Sequence, residues 1–432
     1  MKLDSLSRRD FLAASGGAVS AFGLSSLAAA APKSSFPKGT AEACIFLWLG
    51  GGACHIDTFD PKRRGDPQQK KAGSYYDPIP TAIRGVSVCE HLNRLAPLLD
   101  RGVIIRSLNH NVIDEHAAAT NRLHTGRPTS GTIVYPSIGS LVAHQRGDRE
   151  ENVPAYVVMG YPNLTRGPGF LGAKYGYIYL TETDVGPNGL VRPPDVNAER
   201  QARREALLAK LREDYLQKNP GDELVENYAA VSVQGFRLAG PQFMSVFDLK
   251  NEPAQLRNAY GDEFGQRCLL ARRLVQAGAR FVEVSFNLNF VNGTGWDTHN
   301  EGQLKQHILI DQLDQALSTL LLDLDKLKLL DKTLVVVATE FGRPPEFDGG
   351  GGRGHHSKAF SGFLAGGGLR TGQVVGVTDD LGKTIVAEPV SIPDFFATIF
   401  CALGINPAKE LYAGDRPVPI TDGGQPVRRL FG

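Results

Sequence analysis

The sequence has no surplus of charge of either sign. Its 432 residues carry 47 lysines and arginines against 46 aspartates and glutamates, which gives a formal net charge of +1 at pH 7. Such a balance gives the surface no general attraction for nucleic acid or for an anionic membrane. Basic and aromatic residues are also not interleaved as they are in nucleic-acid-binding proteins. We therefore expect no nucleic-acid partner, and any ligand must be recognised by a local site.

Cysteine is scarce as well, and several common catalytic motifs are missing. The five cysteines include no Cys-x-x-Cys pair, which argues against a disulfide framework and against a cysteine-based zinc site. The sequence contains no Gly-x-Ser-x-Gly elbow and no Walker loop. The glycines at 349–352 start too far beyond a strand, and precede histidines rather than an apolar helix, so they do not predict a dinucleotide site. What remains is acid and histidine chemistry.

The first 31 residues form a segment of their own. Arg8 and Arg9 precede a short apolar run rich in alanine and glycine, which ends in small residues near Ala30. This pattern resembles a twin-arginine export signal. An amphipathic helix or membrane anchor is the alternative, and the short, glycine-rich run disfavours it. We expect cleavage of this leader, no transmembrane segment afterwards, and a periplasmic or other extracytoplasmic location.

Apolar runs typical of buried strands alternate with helical patterns along the rest of the chain. Strands are predicted at 43–49, 102–108, 154–159, 280–286 and 331–339, and helices at 136–147, 197–219, 266–278, 304–327 and after Ser391. The alternation predicts an α/β protein, with one domain over 32–432. The charged helix at 197–219 predicts a peripheral inserted subregion over about 185–260.

Acidic and histidine side chains follow three of these strands directly, and a histidine pair lies in the loop beyond the last of them. In open α/β sheets, ligands bind at the carboxyl ends of strands, so we expect these side chains to converge. Carboxylates and imidazoles together suit a divalent metal ion such as Zn, Mn, Fe or Ca. Two such ions could clamp the attacking and leaving oxygens of an ester. The candidate ligands are His55, Asp57, Asp60, Asp297, His299, Glu340, His355 and His356.

Each candidate ligand has a structural alternative. Asp297 could cap the helix that follows it, and Glu340 could form a surface ion pair with Arg343. Asp57 and Asp60 could serve as turn formers. Of the adjacent histidines at 355 and 356, only one is expected to point into a given site. The repeated placement after strands, rather than any single residue, favours the metal site.

Several motifs, taken in order, resemble one known family. They are "GGGACHIDTFDPK", "HTGRPT", "GWDTHN", "TEFGRPP" and "GRGHH", and together they are similar to the family catalogued as domain of unknown function 1501. That family is related to the alkaline phosphatase and sulfatase superfamily. The resemblance implies an alkaline phosphatase-like three-layer sandwich, in which helices flank a central mixed, mostly parallel sheet with a metal site at one end.

The resemblance also implies roles for particular residues. It places Asp297, His299 and Glu340 at metal-ligand positions, and His355 or His356 at the position of a later histidine ligand. Phe341 stands where a second ligand of an Asp-His pair would be, which weakens or removes one metal position.

The attacking group is the part of the resemblance that departs from the superfamily. His116 stands where a modified cysteine, serine or threonine would be. A histidine there binds metal or acts as an acid or base, or another group attacks, or hydrolysis has been lost. Hydroxide on a metal ion is a candidate attacker that needs no side-chain nucleophile. Cys54 could supply a thiolate nucleophile or could be a small buried residue. Arg127 and Arg343 are available to hold an anionic oxygen.

The leading hypothesis is therefore an exported, metal-dependent hydrolase of phosphate or sulfate esters, acting on a small molecule or on a sulfated polysaccharide. The alternative is a non-catalytic binding protein on the same fold, with a structural metal, that recognises a glycan or an assembly partner. The absent hydroxyl nucleophile favours the alternative, and the acid and histidine constellation favours the hydrolase. The sequence leaves the oligomeric state open.

Overall fold

Strands and helices alternate along the chain. The computed structural model describes residues 36–160, 164–183, 186–187, 195–238, 241–286, 289–290 and 293–432. The predicted leader with Arg8 and Arg9 lies outside these residues, as do residues 188–194 of the predicted inserted subregion.

The elements of the described residues are named here in chain order. The strands are β1 (Ala43–Trp48), β2 (Pro78–Pro80), β3 (Ser87–Cys89), β4 (Gly102–Asn109), β5 (Tyr156–Met159), β6 (Ile178–Leu180), β7 (Phe281–Ser285), β8 (Asn289–Phe290), β9 (Gly293–Thr294), β10 (Thr333–Ala338), β11 (Phe360–Gly366), β12 (Gln373–Val375), β13 (Val377–Thr378), β14 (Ile385–Ala387), β15 (Val390–Ser391), β16 (Glu410–Ala413) and β17 (Arg416–Pro419). The helices are α1 (His116–Thr125), α2 (Ile138–Arg146), α3 (Ala198–Lys218), α4 (Glu223–Leu238), α5 (Pro241–Met244), α6 (Ala254–Tyr260), α7 (Glu263–Ala277), α8 (Glu301–Leu304), α9 (His307–Lys326) and α10 (Ile392–Ala402).

A nine-stranded sheet forms the centre of the fold, in the order β12-β4-β11-β10-β1-β7-β5-β6, with β15 paired to β4. Strand β11 runs antiparallel to β10 and to β4, and the other pairings in this sheet are parallel. The sheet is therefore mixed and mostly parallel. This confirms the predicted α/β class with helices flanking a central sheet.

The side chains of β1 show why the sheet is covered on both faces. Ile45 and Leu47 point into one buried cluster, and Phe46 and Trp48 point into the other, as expected for a strand whose successive side chains alternate between faces. Helices α7 and α9 contribute to the first cluster, and α2 and α10 contribute to the second. Burying one large apolar side chain in either cluster stabilises the folded state by about 1.5–3 kcal/mol.

The helix ends agree with the sequence to within a few residues. Ser391 is the predicted N-cap of α10, and it forms a capping box with Asp394, which confirms that prediction. The leucine-rich helix predicted from residue 304 starts three residues later, as α9, because the short helix α8 ends at Leu304. Helix α1 was not predicted; Glu115 caps its start and Gly126, at φ 71°, ends it.

The parallel strands β1, β7 and β10 are neighbours, so their carboxyl ends lie at one edge of the sheet. The loops that follow them begin at residues 49, 286 and 339, and α1 follows β4 near the same edge. This edge is where the sequence predicted that acidic and histidine side chains converge. Among the described residues, no helix is both long enough and apolar enough to cross a membrane.

Candidate metal centre

Four side chains converge at the carboxyl edge of the sheet. His116, Asp297, His299 and His355 each offer one ligand atom, and these atoms all lie within 4.8 Å of one another. Asp297 Oδ1 is 3.1 Å from His299 Nε2, 3.4 Å from His116 Nε2 and 3.7 Å from His355 Nε2. The His299 and His355 Nε2 atoms are themselves 3.1 Å apart. One carboxylate oxygen and three imidazole nitrogens therefore share a single small space.

The loop after β7 holds Asp297 and His299 close to the end of β1. The Trp296 amide donates to the Gly50 carbonyl at 2.8 Å, and the Trp296 side chain is fully buried. Gly295 has φ 67°, and a Cβ there would collide with the Gly50 carbonyl. The short helix α8 begins after Asn300 without a side-chain cap. Asp297 therefore does not cap the following helix, which removes the alternative that the sequence left open.

Each histidine of the cluster turns its second ring nitrogen toward a carboxylate. The Nδ1 pairs are His116 with Glu340 at 2.9 Å, His355 with Asp114 at 2.7 Å, and His299 with Asp348 at 3.7 Å. A carboxylate behind the imidazole is the usual arrangement of metal-binding histidines, because it fixes the ring and directs the other nitrogen outward. The sequence reasoning missed Asp114 and Asp348. The one sequence feature that could have indicated these two aspartates is their position, because each lies in a loop within a few residues of a candidate histidine.

Glu340 lies behind His116 and does not belong to the four-residue cluster. Its side chain is buried, and Oε1 accepts a hydrogen bond from the Gly51 amide at 2.7 Å as well as facing His116 Nδ1. Glu340 therefore links the end of β10 to the loop after β1 and orients His116. It does not form the surface ion pair with Arg343 that was the alternative.

Arg343 is fully buried and is occupied by protein groups. Its guanidinium donates to the carbonyls of Gly51, Gly52 and Arg353, and to Asp297 Oδ1 at 2.6 Å. These bonds hold three loops together around the cluster. The prediction that Arg343 holds a substrate oxygen does not fit this geometry, because the guanidinium is turned into the protein.

The electrostatics of the cluster follow from these contacts. Burial alone would lower the pKa of His116, but hydrogen bonds to Asp297 and Glu340 outweigh burial and raise the pKa to about 9. Burial would raise the pKa of Asp297, but hydrogen bonds with His116, His355 and Arg343 hold that pKa well below its usual range. Burial and the charge of Arg343 lower the pKa of His299. The ion-free cluster therefore contains a carboxylate and an imidazolium at neutral pH.

The model of the family described as "Protein of unknown function (DUF1501)" matches residues 41–431. The chain belongs to the DUF1501 family. No curated protein matches its sequence significantly.

Solved structures that resemble this DUF1501 protein come from several classes of enzyme. A sulfatase from Pseudoalteromonas sp. is 13% identical, with 85% of this chain and 68% of that chain covered and a TM-score of 0.37. The alkaline phosphatase from the Antarctic bacterium TAB5 is 12% identical, with coverages of 85% and 99% and a TM-score of 0.37. The lipoteichoic acid synthase LtaP from Listeria monocytogenes is 10% identical, with coverages of 87% and 76% and a TM-score of 0.40. Similarity this low does not transfer an activity.

The donor set of the DUF1501 cluster suits a transition-metal ion. Three imidazoles and one carboxylate are typical ligands of zinc, manganese or iron, whereas calcium prefers oxygen ligands alone. The cluster is also open to solvent, since the side chains of His116, Asp297 and His299 are 35–38% exposed. The Phe341 ring packs against His116 and His355, with ring centroids 4.9 Å and 4.5 Å apart, and forms an apolar wall. The residues present therefore fit a divalent metal ion.

Two predicted histidine ligands of the DUF1501 chain lie outside the cluster. His356 forms an isolated β-bridge with Gly342, and its Nε2 lies 2.9 Å from the Lys383 carbonyl. His55 stacks on His356, and its Nε2 lies 2.8 Å from the Gly382 carbonyl. Burial lowers the pKa of His55 to about 4. Both rings bind the 382–383 loop.

The two predicted aspartate ligands after β1 are buried in other ion pairs. Asp57 Oδ2 lies 3.1 Å from the fully buried Arg353 guanidinium and accepts from Gln303 Nε2 at 2.5 Å. Asp60 pairs with Lys62 at 3.0 Å and with Arg106 at 3.3 Å. Neither carboxylate belongs to the cluster, so placement after a strand predicted the correct edge of the sheet but not the direction of these side chains.

Cys54 and Arg127 do not have the environments that their predicted roles need. Cys54 is fully buried, and burial raises the pKa of its thiol well above the ordinary value, so it is a neutral filler rather than a thiolate nucleophile. Arg127 pairs with Asp422 at 3.2 Å and donates to the carbonyls of Pro419 and Thr421. Its guanidinium fastens the C-terminal segment rather than holding a substrate oxygen.

Proposed function

We propose that this DUF1501 protein is an exported, metal-dependent hydrolase of phosphate or sulfate esters. The observation that supports this most strongly is the convergence of His116, Asp297, His299 and His355 at the carboxyl edge of the sheet, with a carboxylate behind every imidazole. The partial exposure of this cluster gives a substrate access from solvent.

Asp297, His299 and His355 would hold the ion. A divalent ion bound there supplies a Lewis acid that polarises an ester oxygen and activates water for attack. The Nδ1 contacts of His299 and His355 with Asp348 and Asp114 leave both Nε2 atoms directed at Asp297 Oδ1. The buried Arg343 donates to the same Oδ1 at 2.6 Å and holds Asp297 in place.

His116 would act as the general acid. Its Nδ1 faces the buried carboxylate of Glu340 at 2.9 Å, and this contact favours the protonated ring that donates from Nε2. As the bond between phosphorus or sulfur and the leaving oxygen breaks, the Nε2 proton passes to that oxygen. Such a site needs no side-chain hydroxyl nucleophile, because water would supply the oxygen that is added and would release its proton to bulk solvent, to which the cluster is open. The partly exposed cluster suits an ester on a long sulfated polysaccharide as well as on a small molecule.

The test combines metal analysis with turnover of chromogenic phosphate, phosphonate and sulfate esters. We expect one transition-metal ion per chain in the purified protein, and loss of both the ion and turnover in Asp297→Asn and His299→Ala. His116→Gln should keep the ion and lose turnover, most strongly with poor leaving groups. His91 and Asp311, 3.2 Å apart and outside the cluster, offer a matched control: His91→Gln and Asp311→Asn should change neither quantity. Loss of the ion in His116→Gln would make His116 a ligand instead of the acid.

A non-catalytic binding protein is the second candidate, and one observation favours it. The cluster of His116, Asp297, His299 and His355 contains no hydroxyl or thiol nucleophile, and a binding protein needs none. Stoichiometric metal without turnover of any ester, together with calorimetric binding of a sulfated polysaccharide that Asp297→Asn abolishes, would support this candidate and exclude the hydrolase. Absence of both metal and turnover would overturn the assignment of the site.

The proposed export rests on the leader alone, where Arg8 and Arg9 precede a short apolar run. We expect the full chain to reach the periplasm when it is expressed in a bacterium with a twin-arginine pathway. The double substitution of Arg8→Lys with Arg9→Lys should retain it in the cytoplasm, as followed by fractionation. Lys2→Arg, which leaves the arginine pair intact, is the control. Equal export of the double variant would overturn the proposal.

A further inference from the structure

Helices α3 and α4 form a hairpin with an unusually exposed apolar surface. Helix α3 has 21 residues and not one of them is buried. Seven large apolar side chains of the hairpin are between 42% and 80% exposed; Val233 lines a cavity, and the other six form two groups, one on each helix. On each helix they recur at spacings of three or four residues, so they form one stripe per helix. The stripe residues are Leu207, Leu211 and Tyr215 on α3, and Leu224, Tyr228 and Val231 on α4.

The other side of α4 borders a cavity instead of packing tightly on the core. Ala229, Ala230 and Gln234 line a cavity of about 480 Å³, whose opposite wall includes His144 and Tyr175. The hairpin therefore gains little stability from the body of the protein. Since isolated helices of this length are marginal in water, a face of this kind indicates that the hairpin has a partner.

We propose that the α3–α4 hairpin is the interface of a homodimer. The charges of its two helices complement each other between copies. Helix α3 carries six basic and four acidic residues, and α4 carries two acidic residues and one basic residue. A two-fold axis that lays α3 of one copy on α4 of the other therefore brings a net positive helix against a net negative one. The same contact forms twice, as closed symmetry requires, and the product is a four-helix bundle.

The size of the exposed hairpin face suits a second copy of the chain. Helix α3 is about 31 Å long at 1.5 Å per residue, and two packed helices present a face roughly 20 Å wide. This is of the order of the ~800 Å² per partner that a standard interface buries. Tyr215, Tyr228 and Arg212, whose guanidinium lies 5.8 Å from the Tyr228 ring centroid, are residue types enriched at interfaces. An anionic membrane is less suitable, because the seven basic residues of the two helices are nearly balanced by six acidic ones.

Sedimentation velocity of the purified protein tests the proposal. We expect twice the mass of a single chain at concentrations of about 10 μM, and partial dissociation as the salt concentration rises. Tyr228→Glu should weaken the dimer at least tenfold, and Leu211→Glu should do the same through the other helix. Tyr412→Glu is the matched control, because Tyr412 on β16 is 62% exposed against 63% for Tyr228; this variant should remain dimeric. All three side chains are exposed, so circular dichroism and thermal unfolding should show folded protein in each case.

Several outcomes would overturn the homodimer. The wild-type protein could remain monomeric at about 100 μM, or the dimer could survive both Leu211→Glu and Tyr228→Glu. Equal dissociation by Tyr412→Glu would show a non-specific effect of the added charge. Co-sedimentation of monomeric protein with phosphatidylglycerol vesicles, abolished by Tyr228→Glu, would assign the face to a membrane surface instead.

Discussion

Replacing Glu340 by glutamine should lower the pKa of His116 in the ion-free protein. Glu340 is buried, and its Oε1 lies 2.9 Å from His116 Nδ1. It is one of two carboxylates that raise the pKa of His116 to about 9, the other being Asp297 at 3.4 Å. Glutamine keeps the shape and an oxygen for the Gly51 amide but removes the charge. The substitution therefore isolates the electrostatic part of this contact.

The expected size of the change follows from the contact itself. A hydrogen bond to a charged group is worth about 1.5–3 kcal/mol, and one pKa unit corresponds to about 1.4 kcal/mol. The side chain of His116 is 37% exposed, so solvent screening places the effect at the lower end. We expect a decrease of about one unit. Because the folded pKa of His116 is raised, its contribution to stability is complete below pH 6.5 and is lost as the pH rises through about 9. Glu340→Gln should shift that loss to lower pH.

NMR titration of protein labelled with ¹³C at the histidine rings, in the presence of a chelator, measures this pKa directly. The signal that is missing in His116→Gln identifies His116. Asp311→Asn is the control, since Asp311 faces the distant His91 and its loss should leave the His116 signal unchanged. If the His116 signal titrates near 6.5 in the wild-type protein, or does not move in Glu340→Gln, the ion-pair reasoning is wrong.

Three further predictions concern the free energy of unfolding. Arg343→Lys should lower it by about 3 kcal/mol in urea titrations, because an ammonium group cannot reach the carbonyls and the carboxylate that the buried guanidinium binds together. Glu283 is fully buried; burial would raise its pKa, but the charges of Arg166 and His124 hold it at about 2. The ionised Glu283 carboxylate contributes about 3 kcal/mol to the free energy of unfolding above pH 4.5, and this contribution is lost as the pH falls through about 2. Glu283→Gln should remove this dependence of stability on pH. Ser391→Ala should cost about 1 kcal/mol by removing the capping box of α10.

Exposed residues of the same types provide the controls. Arg203→Lys and Glu346→Gln replace exposed side chains and should each change the free energy of unfolding by less than about 0.5 kcal/mol. An Arg343→Lys variant as stable as the wild-type protein would contradict the bonding described for this guanidinium. An acid dependence that persists in Glu283→Gln would assign it to other carboxyl groups.

The sheet and the edge that carries the site could be predicted from the sequence. Continuous apolar runs mark strands that are buried on both faces, and parallel strands place their carboxyl ends together. This argument was enough to predict that Asp297, His299 and His355 lie near one another. It says nothing about side-chain direction, so His55, Asp57 and Asp60 were predicted on the same grounds although they are buried in other contacts.

The carboxylates behind the histidines could not be predicted. Asp114 and Asp348 lie in loops, have no periodic pattern, and approach His355 and His299 from distant parts of the sequence. The assignment of His116 rested on a resemblance, because helix α1 had not been predicted and nothing local marks its first residue. Such contacts depend on the tertiary arrangement of loops, which local sequence patterns do not encode.

The hydrogen bonding of the cluster favours a cation at its centre. Asp114 lies 2.7 Å from His355 Nδ1 and favours a proton on that nitrogen, and the Arg343 guanidinium lies 3.3 Å from His299 Nε2, which makes His299 Nε2 an acceptor. In a neutral His355 ring the Nε2 atom is then an acceptor as well. Two such acceptors lie 3.1 Å apart, and Asp297 Oδ1 lies within 3.7 Å of both. Arg343 and His116 offer donors to Asp297 Oδ1, but the His299 and His355 Nε2 atoms face each other at 3.1 Å as two acceptors, and these repel each other. A shared proton or a divalent ion relieves this repulsion, and three convergent lone pairs suit the ion better, because a proton bridges only two atoms.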